Sequence, residues 1–292
     1  MKIVRIIGGL GNQLFQYAML VGLKKHSGDE VKIDLSAMQG YALHNGFELK
    51  DIFNISAQIA TKEEVKSLGR YYINYRHWQI CHHLFPKWRK EFVERKFTKF
   101  YNEVLTEASK NRIYDGYWQC YKYFEDARNE ILKEYTYRNN FDAKNAMLAD
   151  KMLADKNSVS IHIRRGDYLK SKIYKGICEL EYYDRAIKVM KSHLGANPNV
   201  YIFSNDQTWC RENISQLLSG ANVTFVDWNT GRESYNDMRL MHYCRMNIIA
   251  ASSFSWWGAY LNQREDQIVV APKVWINMDL EYDIQLPNWI TI

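Results

Sequence analysis

Two adjacent arginines, Arg164 and Arg165, are the residues with the clearest chemical meaning in this chain of 292 residues. They follow a short apolar run, Val159–Ile163, that is typical of a buried β-strand. Two neighbouring guanidinium groups are costly to desolvate unless an anion meets them, and each can hold a phosphate through two parallel hydrogen bonds. Because open α/β sheets bind ligands at the carboxyl ends of their strands, the pair predicts a phosphate site. An ion pair with an acid such as Asp167 is the structural alternative.

Two more polar turns follow predicted strands in the same half of the chain. Ser204 and Asp206 come after the apolar run Val200–Phe203, where a carboxylate can bind a purine edge or a sugar hydroxyl, or simply cap a turn. After the predicted strand Ile248–Ala251 come hydroxyl and aromatic residues, which could hold a phosphate at a helix start or could be a serine cap with aromatic core residues. These residues are Ser252, Ser253, Phe254 and Ser255. Three polar turns at strand ends predict one shared site.

A glycine-rich turn near the amino terminus is a second candidate. It lies between a predicted strand, Lys2–Ile7, and a predicted helix, Asn12–Lys25, and its spacing differs from the dinucleotide-binding pattern because residue 14 is leucine. Glycines let a ligand approach the backbone, the amino end of a helix favours anions, and two amide side chains add donors. The turn consists of Gly8, Gly9, Leu10, Gly11, Asn12 and Gln13.

The elements around these turns alternate between strand and helix. The remaining predicted strands and helices are Val31–Leu35, Val223–Val226, Ile268–Ala271, Tyr183–Leu194 and Glu233–Cys244. This rhythm predicts a parallel, doubly wound sheet in the second half and a β-α-β opening in the first. The aromatic and basic segment Ile59–Lys110 is interpreted as a helical insert. We therefore expect two Rossmann-like domains, residues 1–150 and 151–292, that face a cleft.

Composition excludes several classes of protein. The net charge of +6 is spread along the chain, which argues against a nucleic-acid partner. Its densest basic stretch, Lys87–Lys99, would suit an anionic substrate or membrane surface, or be a solvated helix face. The five scattered cysteines form no C-x-x-C pair, which favours reduced thiols in the cytoplasm over disulfides or zinc. Met1–Ile7 is interpreted as a strand rather than a signal peptide, and no apolar run reaches the length of a membrane span.

In combination, the motifs resemble the bacterial α-1,2-fucosyltransferase family, glycosyltransferase family 11. The similarity runs from near the amino terminus to about Leu261. It is carried by five segments: Gly8 to Ala18, Gly116-Tyr117-Trp118-Gln119, His162-Ile163-Arg164-Arg165-Gly166-Asp167-Tyr168, Ser204-Asn205-Asp206, and Ser252 to Leu261. The resemblance implies a GT-B architecture, a GDP-β-L-fucose donor, inversion at the fucose anomeric carbon and no required metal.

The resemblance also implies roles for the candidate residues. Arg164 would contact the β-phosphate, with Arg165 as its partner or structural anchor, and His162 would orient the site. Asp167 is a candidate general base unless the arginines hold it, and Glu179 is a second candidate. Donor-binding contacts are expected from Gly9, Gly11, Asn12, Gln13, Ser204, Asp206, Ser252, Ser253, Phe254 and Ser255. Loss of the departing GDP without a metal requires protein cations, a role that arginines suit.

The expected activity is transfer of fucose to the 2-hydroxyl of a terminal galactose, in a free oligosaccharide or a lipid-linked surface glycan. A peripheral position at the inner face of the plasma membrane is compatible with this acceptor. Two other classes stay open: a glycosyltransferase that uses another nucleotide sugar, and a glycan-binding protein without catalytic activity. The aromatic residues suit the second class, but the arginine pair and the three polar turns do not.

Overall fold

The computed structural model describes residues 1–84, 90–96, 98–195, 197–278 and 283–292. The chain divides into two compact units: unit 1 comprises Met1–Asn139 and Leu280–Ile284, and unit 2 comprises Asn140–Asp279 and Gln285–Ile292. The predicted boundary at residue 150 lies inside a helix, Ala143–Ala154, that belongs to unit 2. Asp142 caps that helix by accepting the N–H of Asn145, so the helix begins with unit 2 rather than joining the units.

Within the described ranges, the sheet of unit 1 has four parallel strands in the order β2-β1-β4-β3. They are β1 Lys2–Arg5, β2 Val31–Asp34, β3 Glu91–Val93 and β4 Ile113–Asp115. The first two match predicted strands. The segment 59–110, interpreted as a helical insert, contains helices and also β3, which pairs with β4. Strands of three residues are too short to show a period of two.

The helices of unit 1 surround this sheet. They are α1 Leu10–Ser27, α2 Leu49–Ile52, α3 Lys62–Leu68, α4 Tyr75–Leu84, α5 Glu103–Thr106 and α6 Arg128–Glu134, with 3₁₀ turns at Ser36–Met38, Tyr121–Tyr123 and Glu125–Ala127. Helix α1 is buried over most of its length and ends at Gly28, which adopts the left-handed conformation with φ 70°. Gly22 in this helix has no room for a side chain, since a Cβ would lie 1.9 Å from the Tyr123 carbonyl oxygen.

The sheet of unit 2, in the part of the chain described, has six parallel strands in the order β10-β9-β8-β5-β6-β7. They are β5 Ser158–Ile163, β6 Asn199–Ser204, β7 Asn222–Val226, β8 Met246–Ile248, β9 Ile268–Ala271 and β10 Ile290–Thr291. This is the doubly wound order in which the first strand lies beside the fourth. The predicted strand Ile248–Ala251 is displaced: β8 ends at Ile248 because Ala250 already accepts the turn bond from the Ser252 N–H at 2.7 Å.

Helices cover this second sheet. They are α7 Ala143–Ala154, α8 Leu180–Leu194, α9 Gln207–Trp209, α10 Ser215–Leu217, α11 Tyr235–Met241 and α12 Ser253–Tyr260, with a π-helical segment at Cys210–Ile214 and 3₁₀ turns at Gly166–Lys170 and Gly231–Ser234. The core between α8 and the central strands includes Tyr183, Ile187, Ile161 and Ile202. Among the described residues, no helix is long and apolar enough to cross a bilayer. The predicted α/β class with parallel sheets is confirmed.

Candidate active site

The candidate site lies where the winding of the unit 2 sheet changes direction. Strands β5 and β8 are neighbours, with Ile161 opposite Ile248. The chain after β5 leads through α8 to β6 on one side, whereas the chain after β8 leads through α12 to β9 on the other. The two connections therefore diverge at the carboxyl edge, and this divergence opens the crevice in which doubly wound sheets bind ligands.

Arg164 is the first residue after β5 and has modest protein countercharge. Its side chain is 32% exposed, and its Nη2 lies 2.9 Å from Oδ1 of Asp167, which is itself 58% exposed. The guanidinium carbon lies 5.5 Å from the centroid of the Tyr168 ring. An exposed ion pair of this kind contributes little to stability, so the cation can exchange its partner for a ligand anion.

Arg165 is held far more firmly. Its Nε lies 3.3 Å from Oδ2 of Asp206, its Nη1 lies 3.6 Å from Oε2 of Glu179, and its guanidinium carbon lies 3.9 Å above the centroid of the Trp209 ring. Its backbone N–H also donates to Oδ1 of Asn205 at 2.9 Å. These contacts tie the loop after β5 to the loop after β6. The arrangement suits the anchoring role expected of Arg165.

The polar residues after β6, Ser204 and Asp206, form hydrogen bonds within the turn itself. The Asp206 N–H donates to Oγ of Ser204 at 2.9 Å, and Oδ1 of Asp206 accepts the N–H of Trp209 at 3.1 Å. With its other oxygen near Arg165, the Asp206 carboxylate acts as a helix cap and counterion. A contact between Asp206 and a nucleotide base or ribose stays a prediction.

His162, near the end of β5, is buried and uncharged at neutral pH. Burial, reinforced by the positive charge of Arg164, lowers the pKa of His162 to about 3. Its ring centroid lies 5.7 Å from that of Phe254 in α12, and its carbonyl accepts the hydroxyl of Tyr183 at 3.1 Å. The imidazole Nδ1 has no hydrogen-bond partner among the described residues. His162 therefore joins β5 to the start of α12 as a neutral packing group.

The amino end of α12 forms the other wall of the crevice. Ser252 occupies the cap position with extended backbone angles but makes no side-chain cap bond, and its hydroxyl is hydrogen-bonded to Tyr168 instead. The Ser255 hydroxyl is fully buried and lies within bonding distance of the Ala250 and Ser252 carbonyls, at 3.5 and 3.3 Å. The Ser255 hydroxyl is therefore used within the helix start, and a contact of Ser255 with the donor stays a prediction. The helix dipole still favours an anion here.

A small pocket beside Arg164 adds residues that the motif analysis did not single out. The Tyr168 and Tyr174 rings stack with centroids 4.2 Å apart, and the Ala251 N–H donates to Sγ of Cys178 at 3.3 Å. Burial raises the pKa of Tyr168 to about 12, so its hydroxyl stays protonated. Lys175 also lines this pocket and adds a further cation. No sequence pattern distinguishes Tyr174, Lys175 or Cys178, which reach the site only through the fold of the 166–179 loop.

The glycine turn of unit 1 follows β1, beside the turn that follows β4. Gly8 has φ 92°, and a Cβ there would lie 2.8 Å from Nδ2 of Asn12. Gly9 faces the His44 ring, where a Cβ would come within 3.2 Å. The Gln119 side chain donates to Oδ1 of Asn12 at 2.8 Å, which links the two polar segments that the sequence analysis had related only by resemblance.

Two residues of this turn, Gln13 and Gly11, are buried, and their contacts with the donor stay predictions. The Gln13 side chain is fully buried, donates to the Gly8 and Gly46 carbonyls at 2.9 and 2.7 Å, and accepts the Glu48 N–H at 3.0 Å. All these bonds are to the backbone, so Gln13 braces the turn rather than presenting donors. Gly11 lies buried within the first turn of α1, where it is part of the helix and not of an open loop.

A doubly wound sheet with cations and a helix amino end at its switch point is an arrangement at which α/β proteins commonly bind phosphorylated ligands. The profile described as Glycosyl transferase family 11 matches residues 1–292. The chain belongs to this family and is a glycosyltransferase. The predicted family is thereby confirmed.

Individual relatives support this assignment. The chain is 32% identical to an Escherichia coli alpha-1,2-colitosyltransferase, with 99% of this chain and 98% of that protein covered. It is 31% identical to the Escherichia coli O-antigen biosynthesis glycosyltransferase WbnK, with 98% of each covered. Among solved structures, the NodZ alpha-1,6-fucosyltransferase soaked with GDP-fucose superposes with a TM-score of 0.51 at 16% identity, over 89% of this chain and 92% of that one. This last likeness supports the expected GT-B class of fold.

Proposed function

We propose that the protein transfers L-fucose from GDP-β-L-fucose to the 2-hydroxyl of a terminal galactose, with inversion at the anomeric carbon. The observation that carries the proposal is the contrast within the arginine pair. Arg165 is anchored by two acids and a tryptophan, whereas Arg164 is partly exposed with one exposed acid. Arg164 is thus the cation available for a diphosphate.

In the proposed reaction, the acceptor oxygen forms a bond to C1 of fucose while the bond from C1 to the β-phosphate oxygen breaks. The electron pair of that bond leaves with GDP. Arg164 stabilises the growing negative charge, and the amino end of α12 supplies a second positive field. His162 is uncharged at physiological pH, so it adds no positive charge that would compete with Arg164 for the phosphate.

The acceptor hydroxyl must also lose a proton. Asp167 is the carboxylate next to Arg164, and Glu179 lies 3.6 Å from Arg165 through its Oε2. Both carboxylates are partly exposed and paired with arginine. Asp167 is the candidate general base because its cation is also the proposed phosphate ligand, so donor binding would free the carboxylate.

We propose that the reaction requires no metal, because the side chains of Arg164 and Lys175 line the proposed diphosphate site and can offset its charge. The protein would act in the cytoplasm on surface-polysaccharide intermediates, which is supported by its scattered free cysteines and by the O-antigen biosynthesis role in the printed name of WbnK. The acceptor would be a galactose-containing oligosaccharide or a lipid-linked glycan.

The direct test is to incubate the protein with GDP-fucose and a panel of β-galactosides in excess EDTA. We expect GDP release that depends on the galactoside and a product with a new α-1,2 linkage by NMR. Activity lost in EDTA and restored by manganese would overturn metal independence. Donor-independent binding of the glycan, with no GDP release from any nucleotide sugar, would instead identify a non-catalytic glycan-binding protein.

Transfer of colitose is the second candidate function. It is favoured by the relative that is 32% identical and named an alpha-1,2-colitosyltransferase. Colitose is the 3-deoxy form of L-fucose, so a GDP-linked colitose donor would present the same diphosphate to Arg164. Parallel assays with GDP-fucose and GDP-colitose separate the candidates, and UDP-sugars in the same assay test for another nucleotide sugar.

A further inference from the structure

Helix α4 of unit 1, Tyr75–Leu84, has an outward face with a mixed apolar and basic character. Ile80 and Leu84 are 46% and 72% exposed, and Ile73, just before the helix, is 61% exposed. Arg76 is exposed between them. Because these residues are spaced by three or four positions, they lie along one side of the helix. We call Ile73, Arg76, Ile80 and Leu84 the α4 outer face.

The opposite side of α4 holds the helix in place. Cys81 is 5% exposed and belongs to a buried cluster with Met38 and Tyr72, against which Trp78 also packs. The Trp78 and His82 rings stack with centroids 4.9 Å apart. The helix is therefore fixed to unit 1 by its inner side, and the exposed isoleucines and leucine do not result from a loosely attached element.

The surrounding chain has an unusual charge distribution. Residues 65–90 contain no aspartate or glutamate, whereas they contain Lys66, Arg70, Arg76, Lys87, Arg89 and Lys90. At the end of this segment and just beyond it, Lys90, Arg95 and Lys96 are exposed. The two acids there are directed inward: Glu91 is 5% exposed and lies 3.8 Å from Arg5, and Glu94 accepts the Tyr117 and Trp118 N–H groups.

A neighbouring loop extends the apolar part of this surface. Tyr41 packs edge-on against Tyr75 at the start of α4, with ring centroids 4.7 Å apart. Two positions further along the same loop, Leu43 is 69% exposed. Single exposed apolar residues are ordinary on soluble proteins, but several close together, bordered by cations, mark an interaction surface.

We infer that the α4 outer face, with Leu43 beside the start of the helix, binds an anionic lipid membrane, to which the basic, acid-free chain around α4 is attracted. Basic residues alone would suit an acidic protein or nucleic acid, and apolar residues alone would suit a second copy of the chain. Their combination on a helix that is fixed by its other side suits a bilayer interface. There, apolar side chains enter the headgroup region while lysine and arginine meet lipid phosphates. This inference concerns binding and does not rest on the proposed sugar transfer.

The test is co-sedimentation of the full chain with vesicles of phosphatidylcholine alone or with about one third phosphatidylglycerol, in the absence of nucleotide. We expect strong binding only to the anionic vesicles and weaker binding in high salt, since each cation near the surface adds roughly fivefold to partitioning. The double variant Ile80→Ser and Leu84→Ser should lose at least about tenfold, because two apolar side chains no longer enter the interface.

A matched control comes from unit 2. Met147 and Leu153 in α7 are 74% and 52% exposed, so their double replacement by serine removes comparable apolar surface elsewhere. We expect this control to bind vesicles as the unaltered protein does. An equal loss in both double variants, equal binding to neutral and anionic vesicles, or no binding to either would overturn the inference. Circular dichroism of each variant verifies that the fold persists.

Discussion

Both units place an arginine at the carboxyl end of a strand, but the two arginines have different surroundings. In unit 1, Arg5 is fully buried, with Nε 2.9 Å from Asp34 and Nη1 2.7 Å from Asp115. Its third nitrogen donates to the Arg70 carbonyl at 2.6 Å. In unit 2, Arg164 pairs with Asp167, which is exposed, and is itself partly exposed.

The balance of charge explains the difference in role. Burial tends to lower the pKa of Arg5, but the Coulombic attraction of Asp115 and Asp34 outweighs it and raises the pKa. The hydrogen-bonding groups of Arg5 are thus satisfied by acids and a carbonyl within unit 1, so they are not available for a ligand. Arg164 keeps that capacity. An arginine at a strand end indicates a ligand site only when the surrounding acids fail to neutralise it.

Replacing Arg5 by methionine should produce the largest effect on stability. Removal of one partner leaves Asp34 and Asp115 buried without their cation, which typically costs about 3–5 kcal/mol. Urea denaturation of the variant measures the loss. The control is Arg211→Met, which breaks an ion pair with Asp227 whose partners are 50% and 45% exposed, and should cost about 1 kcal/mol or less. Equal losses would show that Arg5 is not a structural charge.

Arg164→Ala should mainly reduce activity and leave stability nearly unchanged, the reverse of the Arg5 variant. We expect transfer to fall by at least about 100-fold, because the departing diphosphate loses its stabilising cation. The free energy of unfolding should change by less than about 1 kcal/mol, as for other exposed pairs. Initial rates and urea denaturation on the same preparation check both statements. Lys188→Ala, which removes an exposed cation of α8, is the control, and retained activity in Arg164→Ala would remove the phosphate role.

Arg165→Ala should combine both effects at intermediate size. The variant leaves Asp206 and Glu179 without their shared cation and removes the contact with Trp209, so we expect a stability loss on the order of 1–2 kcal/mol. Transfer should fall as well, since the loop that bears Arg164 loses its anchor. A double-mutant cycle with Asp206→Asn measures the coupling. Additive effects of the two changes would contradict the anchoring role.

Asp167→Asn separates two roles of a single carboxylate. A general base contributes about 100-fold or more to the rate, whereas an exposed counterion contributes much less. As the proposed base, Asp167 should be needed for rapid transfer, so we expect a loss of about 100-fold or more together with a changed pH dependence of kcat. A loss below about tenfold would show that this exposed carboxylate is only a counterion of Arg164. Glu179→Gln provides the parallel measurement for the second candidate.

A further expected effect is a change in the pH dependence of stability. Burial raises the pKa of Glu94 in unit 1 from 4.5 to about 8. The folded state therefore keeps a proton that the unfolded state releases, and stability falls as pH rises from 4.5 through 8. In Glu94→Gln, most of this alkaline loss should disappear, as measured by urea denaturation across that range. An unchanged profile would show that Glu94 ionises normally.

His162 gives unit 2 a dependence of opposite sign. Its pKa is lowered from 6.5 to about 3, so the folded state binds fewer protons than the unfolded state between these values. The corresponding stability is present above pH 6.5 and is lost as pH falls toward 3. Comparison of Glu94→Gln with His162→Gln thus tests whether the alkaline loss of stability comes from unit 1 and the acid loss from unit 2.

Much of the fold could be predicted because its signals are local. The strand Val159–Ile163 and the helix before Lys25 carry continuous apolar patterns, and the structure has β5 at Ser158–Ile163 and α1 at Leu10–Ser27. The strands β3, β4 and β10 were missed. Each has three residues or fewer, so its identity depends on a partner strand distant in sequence.

For the site, the sequence alone determined the set of candidate residues: an arginine pair, polar turns after strands and a glycine turn, all of recognisable type and spacing. Only the tertiary structure decided how they divide the work. Burial and countercharge depend on residues distant in sequence, and these made Arg165 an anchor, Gln13 a brace and His162 a neutral packing group. The same long-range contacts neutralised Arg5 and left Arg164 available, a distinction that no local pattern contains.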